Sequence, residues 1–449
     1  MSIRLAVCLL LTIGCVSSSI ADRPNVLLIM ADDVGTDAVG CYGGQSYPTP
    51  HIDALAAGGM KFNHGYAMPV CHPSRICLMT GRYPFRFGAA GQKWGGYPKT
   101  AEGNSIGDVM KNGGYAAAVA GKWQLCMLKN DHMHPERTGF DEWLLFGWHE
   151  GGRFHDPLLY ETGEHGKNVK GHYGPDLYVD FLTKFMAKSA EKGQPFFAYY
   201  PMALCHPVTN DLQDRHVAYY RDGRWMTYGE MVASMDDMVG RLVSFLEKSG
   251  LRESTLIIFT TDNGTTGTCY LHVDEQGTMV KNKVVSVRND QVIPGGKGKT
   301  DDTGTRVPLI ANWPAKIAAG VEVEDMADLT DILPTIREVA GMDSDGIERD
   351  GISYAPVLLG TPELRERREW VYVEHRKKRC VRSSRWKLYA GGRFYDLEKD
   401  PLERSPLNPE RLSGDAETHY QKLRTEIDKL AIAAKERGQP KNEPSRKNP

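Results

Sequence analysis

The sequence predicts an α/β protein: a large mixed, mostly parallel sheet sandwiched by helices, followed by a small C-terminal α+β domain. Three observations carry this. Four apolar runs of strand length, Asn25–Met30, Tyr115–Ala120, Phe196–Tyr200 and Thr255–Thr260, lack polar alternation, as strands buried on both faces do. Amphipathic stretches separate them, the clearest at Glu230–Lys248, where Met231, Met235, Met238, Leu242 and Phe245 recur at helical steps. From Trp370 the texture changes to short strands with charged residues between them, the pattern of a small antiparallel sheet.

A chain of 449 residues has room for one large domain and a smaller one. A net charge of −2 with mixed signs excludes the electrostatic footprint of a nucleic-acid binder. The first 21 residues read as a secretory signal: Arg4 at the start, the apolar core Leu5 to Ile13, and Ser19-Ile20-Ala21 for cleavage. That core is too short to span a bilayer, so the mature chain is expected to be exported, periplasmic or secreted, without stable membrane insertion. Of nine cysteines, Cys8 and Cys15 leave with the leader, and the odd number remaining leaves at least one unpaired. Residues 22–360 then form the large domain, 361–435 the small sheet and helix, and 436–449 a polar, disordered tail.

Taken in order, Asn25–Met30 delivers Asp32 and Asp33, adjacent carboxylates whose repulsion a hard cation relieves. Taken alone, the pair reads better as a solvated turn with a helix cap. Thr49 to Gly59 reads as a short helix with Thr49 as cap. The segment Cys71-His72-Pro73-Ser74-Arg75 places a cysteine before a helical turn opened by Pro73, with the turn ending at Thr80-Gly81. Free N–H groups of such a turn attract an anion, and Arg75 adds a fork of donors. The competing reading is a structural cysteine bridged to Cys77.

Tyr115–Ala120 ends at Gly121-Lys122-Trp123-Gln124. The Gly-rich stretch from Trp148 to Tyr173, with His149, His155, His165 and His172, reads as an irregular surface loop that lines a substrate mouth. Asp176–Ala190 is helical, and Phe196–Tyr200 delivers His206-Pro207. Thr255–Thr260 ends in Asp262-Asn263-Gly264, a carboxylate beside an amide oxygen, which calcium accepts. Gly295-Gly296-Lys297-Gly298-Lys299 lacks the spacing of a phosphate-binding loop. Asp328–Ala340 reads as a helix kinked at Pro334, and Tyr420, Leu423, Ile427 and Leu430 mark a final amphipathic helix.

C-x-P-S-R followed by L-x-T-G-R resembles the signature of the type I sulfatases, members of the alkaline phosphatase-like superfamily. The resemblance extends through D-D-x-G, G-K-W, the H-P pair, T-D-N-G, G-G-K and the segment Tyr395 to Pro401. It implies that a formylglycine-generating enzyme oxidises Cys71 to an aldehyde whose hydrate attacks sulfur. It further implies one calcium ion, held by Asp32, Asp33, Asp262, Asn263 and the converted Cys71. Arg75, Lys122, His206 and Lys297 would surround the sulfate, together with Gln124, and His206 or Lys297 would protonate the leaving alcohol. The substrate so implied is a sulfated carbohydrate or small molecule.

Two positions depart from the family pattern. Gln124 replaces the histidine of G-K-W-H, and an amide cannot act as a base near neutral pH. Asp302 stands where G-G-K is usually followed by a glutamate. The alternatives are a phosphodiester or phosphonate hydrolase of the same superfamily, or a catalytically impaired relative that binds sulfated glycans.

Overall fold

The computed structural model describes residues 23–91, 96–147, 150–208 and 218–438. The leader read at residues 1–21 lies outside them. Its strands, in chain order, are β1 (Asn25–Ala31), β2 (Met60–Tyr66), β3 (Ala116–Lys122), β4 (Glu142–Phe146), β5 (Leu158–Glu161), β6 (Lys167–Asn168), β7 (Phe196–Pro201), β8 (Thr255–Thr261), β9 (Thr268–Val273), β10 (Met279–Lys283), β11 (Val285–Arg288), β12 (Gln291–Pro294), β13 (Leu309–Asn312), β14 (Val321–Asp328), β15 (Val371–His375), β16 (Lys378–Arg382), β17 (Trp386–Tyr389) and β18 (Phe394–Asp396). Ten of them form one mixed sheet in the order β14-β2-β13-β8-β1-β7-β3-β4-β5-β6, with β8, β1, β7, β3 and β4 mutually parallel at its centre. β9–β10 and β11–β12 are hairpins, and β15 to β18 make a separate antiparallel sheet.

The four apolar runs are the four central strands. Their lack of polar alternation has a direct cause, because successive residues enter two different cores. Val26, Leu28 and Met30 of β1 join the core on one face, and Leu27, Ile29 and Ala31 join the core on the other. The helices Pro50–Ala57, Gly174–Glu191 and Tyr228–Lys248 cover the second face. The first is covered by Cys71–Thr80, Ile106–Asn112 and Ile332–Val339, and also by the C-terminal unit, whose Tyr372, Val381, Trp386, Leu388 and Leu423 enter the same core.

Several local readings change. The stretch 150–173 is largely irregular, as expected, but two short pieces, β5 and β6, extend the main sheet through antiparallel pairing, and Arg153 inside it is buried. Short edge strands carry too few residues to show a period. Asp328 both closes β14 and caps the 3-10 turn Leu329–Asp331 that leads into the helix Ile332–Val339, and Pro334 falls in the first turn of that helix, where a missing N–H costs nothing. The final helix, Asp415–Gly438, runs three residues into the stretch read as a tail, because Ala431 to Arg437 is rich in good helix formers. Residues 439–449 lie outside the described residues. No helix among the described residues is long and apolar enough to cross a membrane.

Arg368, just before β15, anchors the C-terminal sheet. Its Nε donates to Asp331 Oδ2 at 2.9 Å, Nη2 donates to Asp331 Oδ1 and to Asp350 O, and Nη1 donates to Tyr83 Oη at 3.1 Å. Removing one partner of a buried ion pair leaves the other charge desolvated. Arg368→Met is therefore expected to destabilise the fold by roughly 3–5 kcal/mol, read from the urea midpoint. A loss under about 1 kcal/mol would show that the network contributes no more than a surface pair does.

Candidate active site

Strand register places the site. Asn25 to Ala31 of β1 lie opposite Thr255 to Thr261 of β8, so the two strands end level and Asp262 N donates to Ala31 O at 3.1 Å. Asp32-Asp33 and Asp262-Asn263 therefore leave the sheet side by side. On the other flank, Asp32 N donates to Leu204 O and Cys205 N to Asp32 O, which draws His206 to the same edge. Lys122 closes β3 one strand further on. The carboxyl ends of parallel strands are where such sheets hold ligands.

Cys71 is the first residue of the helix Cys71–Thr80, so Pro73 sits inside the first turn and does not open it; Gly81, at φ +67°, ends the helix. Cys71 Sγ lies 3.5 Å from Asp32 Oδ1 and 3.9 Å from Asp33 Oδ1. All seven described cysteines are free, which removes the Cys71–Cys77 bridge. The Cys71 side chain is 4% exposed, and burial together with the Asp262 and Asp32 charges pushes its thiol up to about 12. A thiolate nucleophile is thus disfavoured here.

Three cations face three carboxylates. Lys122 Nζ donates to Asp32 Oδ2, Lys297 Nζ lies 2.7 Å from Asp33, and Arg75 Nη2 lies 2.8 Å from Asp262 Oδ2. Arg75 also donates from Nη1 to Lys122 O, so both terminal nitrogens of its fork, expected to meet a substrate anion, are engaged inside the protein. Burial pushes Asp32 up, but Lys122, Arg75 and Lys297 outweigh it and hold the carboxyl at about 2. Asp33 is pushed up by burial and by Asp32, against Lys297. Burial and the Asp32 charge raise Asp262 to about 6. Burial and mutual repulsion thus disfavour full ionisation of Asp33 and Asp262.

The donor set fits a hard cation. Single donor atoms from Asp32, Asp33, Cys71 and His206 lie within 4.8 Å of one another. Asn263 Nδ2 donates to Asp33 Oδ1 at 2.8 Å, leaving Asn263 Oδ1 buried with no hydrogen bond of its own. Buried carboxylate and amide oxygens suit calcium better than zinc.

His206 is nearly buried, with Nε2 3.9 Å from Asp33 Oδ2. Burial, then Lys297, Arg153 and Lys122, push its pKa well below the usual range. Arg153 is the residue that sequence reasoning missed. Its Nη1 lies 2.7 Å from His206 Nδ1, and its guanidinium stands 5.3 Å over the Phe146 ring. Its only signal was an arginine set between glycines and aromatics in a stretch without period. Gln124 is buried at φ +53°, with Oε1 lacking a hydrogen-bond partner.

Glycines pack the loops together. A Cβ on Gly264 would lie 1.9 Å from Thr303 O, and one on Gly296 would lie 2.0 Å from the same atom. The segments carrying Asn263 and Lys297 thus close on the turn at Asp302–Thr305, and only glycine permits both approaches.

A family model described as Sulfatase matches residues 24–342, and one described as N-sulphoglucosamine sulphohydrolase, C-terminal, matches residues 299–431. Human arylsulfatase A is 30% identical over 421 residues, covering 85% of this chain and 78% of its own length. N-acetylgalactosamine-6-sulfatase of Rattus norvegicus is 30% identical over 385 residues, covering 77% and 68%. The crystal structure of Ps i-CgsB in complex with k-i-k-neocarrahexaose aligns with a TM-score of 0.71 at 25% identity, covering 93% of this chain and 94% of that one.

Proposed function

Because this chain belongs to the sulfatase family and is a sulfuric ester hydrolase, we propose that it cleaves a sulfate ester on a carbohydrate, outside the cytoplasm, using calcium and a formylglycine made from Cys71. The observation that carries this reading is one cluster: a buried cysteine at a helix N-terminus, against three carboxylates and three cations, with an unpartnered amide oxygen. The relative named N-acetylgalactosamine-6-sulfatase, and the similar structure solved in complex with k-i-k-neocarrahexaose, support the substrate class. The apolar leader supports export.

Asp32, Asp33, Asp262 and Asn263 would hold the calcium ion, which supplies positive charge for the sulfuryl oxygens. Formylglycine at position 71 supplies, as its hydrate, one hydroxyl for attack on sulfur and a second through which the aldehyde is regenerated. The raised thiol of Cys71 argues against an unmodified thiolate as the nucleophile. Lys122 and Lys297 hold the sulfate oxygens, while Arg75 neutralises Asp262 from beneath and keeps Cys71 and Lys122 in register. Lys297 Nζ, 2.7 Å from Asp33, carries protons at the edge of the cluster. We assign to it the proton given to the leaving oxygen. His206, held neutral, orients that oxygen through Nε2, and Gln124 Oε1 accepts a hydrogen bond from the hydrate.

A panel of sulfated mono- and oligosaccharides, assayed for sulfate release beside matched phosphodiesters, tests the reading. The expected result is turnover of sulfate esters above phosphate esters; the reverse order would assign the site to phosphoryl chemistry. Gln124→His is expected to leave hydrolysis intact, since an amide at this position can orient the hydrate but cannot be the required base. Inactivity of the natural protein with rescue by Gln124→His would overturn that assignment.

A further inference from the structure

The segment that carries Lys297 is held to the large domain by its own backbone, Gly296 N and Lys297 N donating to Thr265 O and Gly298 N to Pro69 O, but the residues that follow it, Thr300 and Asp302, are tethered to the C-terminal sheet. Arg382 at the end of β16 grips the Asp302 carboxylate from Nη1 at 2.6 and 2.8 Å. Burial pushes the Asp302 carboxyl up, but Arg382 and Lys387 outweigh it and hold it at about 2. Lys387 on β17 donates to Thr300 O, and Tyr389 Oη lies 3.1 Å from Thr300 Oγ1. Glu403 accepts from both Lys387 and Tyr389, which fixes the direction of each. Asp302, Arg382, Lys387, Tyr389 and Glu403 are thus one network, and Arg382 and Lys387 within it are buried. Desolvated charges this well paired resist displacement.

The network has a path to the reacting groups. Asp302 opens the turn at Asp302–Thr305, whose Thr303 carbonyl meets both Gly264 and Gly296. Gly264 N donates to Gly304 O at 3.0 Å, and Lys299 N donates back to Gly296 O at 2.8 Å. The turn thus packs against the backbone on both sides, next to Asn263 through Gly264 and next to Lys297 through Gly296, so a shift of the turn is expected to be felt at both residues.

We propose that Arg382, Lys387 and Tyr389 are positioning residues for hydrolysis: the C-terminal sheet sets where the Lys297 ammonium stands relative to Cys71 and Asp33. This rests on the role given above to Lys297. A displacement of about 1 Å at a catalytic group costs up to about 100-fold in rate, so loss of one tether is expected to be visible without unfolding the protein.

The test is a double-mutant cycle on kcat/KM, using the sulfated sugar that the wild-type protein turns over fastest. Lys387→Met alone is expected to lower kcat/KM by roughly 10- to 100-fold. In a Lys297→Ala background the same change is expected to cost less than about 2-fold, because the group it positions is gone. Equal losses in both backgrounds would overturn the proposal and leave the network a general support. Wild-type kcat/KM for Lys297→Ala alone would instead remove the role of Lys297, and the proposal with it. If Lys387→Met does not fold, Tyr389→Phe removes only the hydroxyl from Thr300 and Glu403 and carries the same cycle. Arg382→Lys, which keeps the charge but not the fork, is expected to fall between wild type and Arg382→Met.

Discussion

Cys71→Ala is expected to abolish sulfate release, lowering kcat/KM by at least about 10⁴-fold, with little change in melting temperature. Loss of a nucleophile removes the covalent route altogether, whereas the small side chain lost here leaves the surrounding helix and carboxylates in place. Cys71→Ser is expected to be equally inactive if the oxidation is specific for cysteine, since a serine ester has no second hydroxyl through which to collapse. Mass spectrometry of the peptide spanning Cys71, from the native source, is expected to show the aldehyde. An intact thiol in a fully active preparation would overturn the formylglycine reading. Activity retained by Cys71→Ala would exclude position 71 as the nucleophile.

Asp262→Ala is expected to remove activity and stability together. If Asp262 holds calcium as proposed, activity falls with the loss of that ligand, and chelation of the wild-type protein should mimic this, with recovery on adding calcium. Stability falls because Arg75, 1% exposed, loses the carboxylate 2.8 Å from Nη2 and keeps only Asp32, at 3.6 Å, as a nearby charge. Stranding a buried charge costs roughly 3–5 kcal/mol. Chelation alone leaves Arg75 paired, so it should cost less stability than the substitution does. Equal destabilisation by both would show that the cation, and not the ion pair, holds this corner.

Much of this site was legible because strand ends are legible. A buried parallel strand is a continuous apolar run, and the first polar residues after it must lie at one edge of the sheet. That placed Asp32, Lys122, His206 and Asp262 together before any coordinates. Three things were hidden for physical reasons. β2, β13 and β14 are half-exposed or short, and their alternation is broken by residues such as Asn63 and His64 that pair with glutamates on β14. Arg153 acts through a loop-borne contact that no local spacing encodes. The tethers from Arg382 and Lys387 join residues some 80 positions apart, and a charged residue on a short strand reads as a solvated one until its partner is seen.

The order of strands in the main sheet also sets a clock. β1 lies between β7 and β8, and Arg75 finds its partner at Asp262, so nothing can close over Cys71 until β8 has been synthesised. Roughly 190 residues separate Cys71 from that strand, and at about 5–20 residues per second their synthesis takes on the order of 10–40 seconds. Until that strand is in place, Cys71 lacks the packing that buries it in the folded chain. An enzyme that oxidises Cys71, as proposed above, would therefore have to act before one strand arrives, an order fixed by topology and not by the local motif.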